Sequence, residues 1–165
     1  MGKKYLVALD GSENSNYALS WALENLIDLN DGVLLLLSIG ILSWSVPFEY
    51  SAVEQEAENI VNSGKKLVED YLATKKIELP LELHFNSSTD LPNFIVDFIR
   101  EHHVDVLVLG NKGNISRHCL SFADCTVVIV RKKIRDKALS KATIYQWIEL
   151  FNAEQSRIED APRSG

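Results

Sequence analysis

Five short apolar runs, separated by stretches of helical periodicity, constrain this chain more than any other feature. The runs are Tyr5–Leu9, Val33–Ile39, Leu81–Phe85, Val104–Leu109 and Thr126–Val130. Each has strand length, and between them apolar residues recur three and four apart, as on one face of a helix. Tyr17, Ala18, Trp21, Ala22 and Leu26 share such a face after the first run, and Ala57, Ile60, Val61, Leu67, Val68 and Leu72 share one after the second. Strands that alternate with helices build a parallel sheet, because a parallel return needs a crossover and a helix is the usual one. The second run is apolar throughout, as a strand covered on both faces must be. The weaker alternation of Leu81–Phe85 suits a sheet edge. The fold class predicted is therefore α/β: three layers, α/β/α, around a five-stranded parallel sheet.

Such sheets bind ligands beyond the carboxyl ends of their strands, where the strand order reverses. That rule brings Asp10, Ile39 and the segment 110–116 around one crevice. Gly110, Asn111, Lys112 and Gly113 form a G-x2-G turn, and Asn114, Ile115 and Ser116 open a short helix. Glycines reach positive φ, so successive backbone N–H groups can converge on phosphate oxygens, and a helix start adds partial positive charge. Each residue also has a plainer role. Asp10 suits a turn or helix cap, Ile39 suits the core, Lys112 suits a solvated surface, and Asn114 and Ser116 suit capping.

The net charge of −6 argues against a nucleic-acid partner, whose phosphates demand a basic footprint. One basic run, Arg131–Lys133 with Arg135 and Lys137, reads as a solvated strand end. The longest apolar run, near Val33–Ile39, is far too short to span a membrane. Cys119 and Cys125 have no second pair to complete a zinc site, so no metal site is assigned. They read as one helical thiol and one thiol in or before a strand, in a reducing compartment, and a cytoplasmic location is expected. His84 and His118 have no Asp or Cys at ligand spacing, and His102-His103 precede the fourth strand, at the end of the sheet away from the crevice, where they suit a helix terminus. No G-x-S-x-G, G-x4-G-K-[ST] or G-x-G-x-x-G motif is present, and no catalytic residue is assigned.

Three segments together resemble the universal stress protein family. Leu6-Val7-Ala8-Leu9-Asp10-Gly11-Ser12, continuing through Ala18-Leu19-Ser20-Trp21-Ala22, is similar to the family's opening strand, turn and helix. Asp105-Val106-Leu107-Val108-Leu109-Gly110 resembles its strand leading into a glycine loop. Ala123-Asp124-Cys125-Thr126-Val127-Val128-Ile129-Val130-Arg131 resembles its last strand, A-x-C-P-V-x-V-V-R. The resemblance covers residues 3–131. It implies a Rossmann-like sheet of strand order 3-2-1-4-5, a domain over 1–131 and a tail over 132–165. It also implies a module for ATP or AMP, with magnesium accompanying ATP, held by Asp10, Gly11, Ser12, Ile39 and residues 110–116, and acting in stress response or signalling by ligand-dependent assembly. A homodimer through the strand 126–130 edge is implied as well.

The chain departs from the family's G-x2-G-x9-G-[ST] pattern. After nine residues beyond Gly113, where the next glycine of the pattern is due, stands Ala123, followed by Asp124. In a second register, Gly113-Asn114-Ile115-Ser116 resembles the family's later G-S-V-S and about ten loop residues are missing. The fourteen residues between Gly110 and Cys125 still suffice for a parallel crossover. Fewer N–H donors then surround a triphosphate, so AMP-sized ligands are expected to be tolerated better than ATP. A ligand-free dimerisation module is the alternative. Asp10-Gly11-Ser12 only faintly resembles the S-G-G-x-D-S pyrophosphate loop of the related hydrolases. In the tail, Ile144, Trp147, Ile148 and Phe151 fall at i, i+3, i+4 and i+7, predicting an amphipathic helix over 138–155 whose face packs on the same chain or adds a dimer contact. The polar end, 156–165, is expected to be disordered.

Overall fold

The chain alternates β1 (Lys4–Leu9), α1 (Glu13–Asn25), β2 (Val33–Ile41), α2 (Tyr50–Lys75), β3 (Leu81–Ser88), α3 (Leu91–His102), β4 (Val106–Gly110), α4 (Asn114–Phe122) and β5 (Thr126–Lys132), and then adds β6 (Ile144–Glu149). The computed structural model describes residues 2–42, 50–111, 113–132 and 144–149. The first five strands form a parallel sheet in the order β3-β2-β1-β4-β5, the order the resemblance implied.

Register aligns the apolar runs across the sheet. Leu35 lies opposite Leu6, Leu6 opposite Leu107, and Leu107 opposite Val127. These four belong to the core beneath α3 and α4, with Ile95, Phe98, Ile99 and Cys119 packed over them. One residue on along each strand, Leu36, Val7, Val108 and Val128 point the other way, into the core beneath α1 and α2 with Leu19, Trp21 and Val68. Two cores, one on each face, follow from the two-residue side-chain period of strands buried on both sides.

Helix ends follow local chemistry. Ser12 caps α1 by accepting from the backbone N–H of Ser15, at 3.2 Å. Asp90 caps α3 by accepting from Asn93 N–H, and Pro92 sits in the first turn, where a missing N–H costs nothing. Arg100 and His102 occupy the last turn of α3, where positive charge suits the helix dipole. The His102 ring stacks on Phe98, with centroids 3.8 Å apart, and one ring nitrogen lies 3.1 Å from Phe98 O. Among the described residues no group of histidine, cysteine and acidic side chains could hold a metal ion. No described helix is long and apolar enough to cross a membrane.

Several boundaries shift. β2 runs two residues past Ile39, the end of the apolar run, through Gly40 to Ile41. β3 runs three residues past the Leu81–Phe85 run, to Ser88, and α3 starts soon after, at Leu91. A side chain at Gly40 would meet Val53 of α2, its Cβ lying 2.8 Å from the Val53 carbonyl oxygen. The Val53 Cγ1 methyl stands nearer still, and of the two the backbone yields less readily. Gly40→Ala is expected to cost about 2 kcal/mol through this overpacking. Chemical denaturation should show a lowered midpoint at unchanged slope, whereas an unmoved midpoint would show that α2 is not pinned there.

The tail requires a correction. Residues 144–149 form a strand, β6, not part of an amphipathic helix, and β6 pairs antiparallel with β5. The rest of the 138–155 segment lies outside the described residues. The sequence Ile-Tyr-Gln-Trp-Ile is rich in the β-branched and aromatic types that favour strands. The open edge of β5 offers the ladder that a lone amphipathic helix lacks. β5 is therefore not the sheet's edge, as had been expected; β3 and β6 are.

Candidate functional site

At the carboxyl end of the parallel sheet the chain leaves β1 through Asp10, Gly11 and Ser12. Gly11 turns the backbone with φ +83°, a conformation side chains disfavour. The Asp10 carboxylate accepts from Ser12 N–H at 2.9 Å and from the Ser12 hydroxyl at 2.6 Å. Ser15, buried in the first turn of α1, accepts from Asp10 N–H at 3.3 Å and donates to the Ser12 carbonyl at 3.2 Å. The β1–α1 turn is thus tied to itself at both ends and holds its carboxylate in place.

β4 ends beside this turn at Gly110. A Cβ there would stand 3.1 Å from the backbone carbon and oxygen of Asn14, so the absent side chain lets the first turn of α1 press against the strand end. The buried Ser116 hydroxyl donates to the Gly110 carbonyl at 3.3 Å and fastens the start of α4 over β4. Gly113 caps α4 with φ +58°, without a side-chain hydrogen bond. The α4 amino end therefore carries its partial charge with no side chain of the cap residue across it.

The predicted crevice exists between these parts. Asp10 and Ser12 stand on one side, Gly110 and Ile115 on another, Ile39 and Leu37 at the end of β2, with Leu91 and Ile95 of α3 as the far wall. It is partly open to solvent, its volume is ≈ 50 Å³, and its lining is chiefly apolar. Asp10, Ser12, Ile39, Gly110 and Ile115 of the predicted set thus meet in one place.

The remaining candidates separate. Asn111, Gly113 and Ser116 line a second hollow of ≈ 160 Å³ on the β5 side of α4, with Arg117, Leu120, Ile129 and Arg131. Gly11 faces an open groove of ≈ 630 Å³ between α1 and α2, beside Asn16, Gln55 and Asn59. Asn114 begins α4 and is exposed, and Lys112 lies outside the described residues. The short loop explains the division: α4 begins only four residues beyond Gly110, so its first turn stands between the two hollows.

Sequence reasoning missed the α3 wall, Leu91 and Ile95, and the two arginines. The signal for the wall was the Asp-Leu-Pro start of α3, which puts an apolar face toward β4 and β2. No local motif marks Arg117, whose place depends on where α4 lands.

Residues 1–131 match the model of the universal stress protein family. No curated protein sequence matches the chain. Similar solved structures include a universal stress protein family protein from Arabidopsis thaliana with AMP bound. It is 20% identical, with TM-score 0.60 over 80% of this chain and 93% of that one. One from Burkholderia pseudomallei is 19% identical, with TM-score 0.59 over 77% and 94% of the respective chains. A universal stress protein in complex with cAMP is 17% identical, with TM-score 0.51 over 77% and 94%.

Proposed function

Because the chain belongs to the universal stress protein family, we propose that it is an adenine-nucleotide-binding module in stress response or signalling, taking AMP in preference to ATP. The observation that carries this reading is the meeting of the braced Asp10–Ser12 turn, Ile39, Gly110 and the α4 start at one strand-end crevice. In this reading Asp10 accepts from a ribose hydroxyl, the base lies against Ile39, and a phosphate sits by the α4 amino end. The similar Arabidopsis protein with AMP and the relative with cAMP support the ligand class.

Size sets the affinity. A cavity of about 150 Å³ admits benzene, so ≈ 50 Å³ does not enclose a purine as it stands. The base lies at the mouth, or Leu91 and Ile115 shift to admit it, and either costs affinity. The divided loop leaves few N–H donors for a β- or γ-phosphate, and magnesium enters only as the counter-ion of ATP. No residue is given a catalytic role.

Calorimetric titration tests this. AMP is expected to bind with Kd of about 10⁻⁴ M, ATP no more tightly, and Asp10→Ala to weaken AMP about tenfold, the loss of one charge-assisted hydrogen bond. Micromolar ATP binding would show that the split loop still cradles phosphates. The second reading, a ligand-free interaction module, is favoured by the small crevice, and it is the one that survives if neither nucleotide binds at millimolar concentration.

A further inference from the structure

β5 is the last parallel strand, and its four central residues, Val127, Val128, Ile129 and Val130, are all buried. An apolar strand at a sheet edge exposes unpaired N–H and C=O groups to any other strand. Here that edge carries β6, antiparallel over six residue pairs from Val127 opposite Glu149 to Lys132 opposite Ile144. Two features mark β6 as an addition to the sheet rather than part of its frame. It runs against five parallel strands, and eleven residues (133–143) join it to β5, where a hairpin needs about two to five.

We propose that β6 is a built-in edge cap that keeps the chain monomeric by occupying the surface through which a second copy pairs. The six register pairs show that the β5 edge accepts an antiparallel strand. Two β5 strands related by a twofold axis are antiparallel by symmetry, so a second copy offers the same ladder in the same sense. Charge permits it: antiparallel pairing sets the basic end, Arg131 and Lys132, beside the opposite end of the other strand, where Asp124 lies, so like charges do not meet. In the intact chain β6 wins because its tether holds it near β5 at an effective concentration of about millimolar, far above a micromolar second copy.

The test is the mass in solution of the full-length chain and of Gln146→Pro/Trp147→Pro. Successive residues of a strand turn their N–H groups to opposite sides, so one of the two prolines must remove a donor aimed at β5. Sedimentation at about ten micromolar is expected to give the intact chain as a monomer and the double variant, with native circular dichroism, as a dimer of twice that mass. A dimeric intact chain, or a folded double variant that stays monomeric, would overturn the proposal. Should the prolines prevent folding, replacing residues 144–149 by a Gly-Ser segment of equal length takes their place. If that chain also fails to fold, β6 belongs to the frame of the sheet and the cap proposal falls.

Discussion

Leu107→Ala is expected to lower the unfolding free energy by about 3 kcal/mol and the melting temperature by on the order of 10 °C. Leu107 has no exposed surface and sits in the middle of the row Leu35, Leu6, Leu107 and Val127, none of which exceeds 1% exposure. Removing its isobutyl end forfeits the transfer of those carbons from water and leaves a gap. β-Strands on both sides and two helices above fix the walls, so the gap closes only in part, and the loss carries a cavity cost beyond the transfer of the removed carbons. Phe122→Ala provides the contrast. That ring is 58% exposed at the end of α4, and its removal is expected to move stability by less than about 0.5 kcal/mol despite the larger side chain. Thermal unfolding of both variants decides the matter. A Leu107→Ala loss below about 1 kcal/mol would mean that α3 and α4 settle onto the sheet and are not held by it.

The same row shows why the sheet was legible. Runs such as Val-Leu-Leu-Leu-Leu at 33–37 have one stable use in an α/β sheet, a strand covered on both faces, and the helical spacing between runs supplies the covers. Strand ends were harder. The apolar run stops at Ile39, yet the strand continues through Gly40, where Val53 of α2 packs against the backbone. That contact spans the crossover, and no window of local sequence contains it.

The tail failed for a different reason. Ile144, Trp147 and Ile148 satisfy helical spacing, but Ile144-Tyr145-Gln146-Trp147-Ile148 also has strand composition, and short segments of this kind fit either period. The free ladder on β5, a tertiary fact, selects the strand. The crevice was legible in part. Asp10, Ile39 and Gly110 follow from the rule that ligands gather at strand ends, and they meet there. Asn111, Gly113 and Ser116 diverge because fourteen residues must both cross to β5 and form α4, which places the helix start between the two hollows. The motif counts glycines but not the room left to fold them around a phosphate.

The thiols supply the prediction with the largest kinetic effect. Cys119, on the inner face of α4, has no exposed surface, and Cys125 is half-buried just before β5, its thiol donating to the Thr126 carbonyl at 3.4 Å. Burial raises each thiol from 9.0 to about 12. The neighbouring Cys125 adds to this for Cys119; for Cys125 a backbone hydrogen bond with Leu107 works against it, and Asp124 and Asp105 add to it. The thiolate is the nucleophile, so at pH 8 the folded chain holds about a thousandfold less of it than the unfolded chain. Alkylation by iodoacetamide, followed by intact mass, is therefore expected to label neither cysteine in the native protein over the time that labels both in denaturant. The sign of the pH dependence follows from the same shifts. The folded state keeps its thiol protons more tightly, so their contribution to stability is whole below about pH 9 and is lost as pH climbs from there toward 12. Denaturation midpoints should be level in this respect from pH 7 to 9 and fall above it, and Cys119→Ser/Cys125→Ser should remove that part of the fall at the cost of a lower midpoint throughout. Native labelling as fast as in denaturant would mean that α4 opens from the sheet far more readily than its packing over Leu107 and Val127 allows.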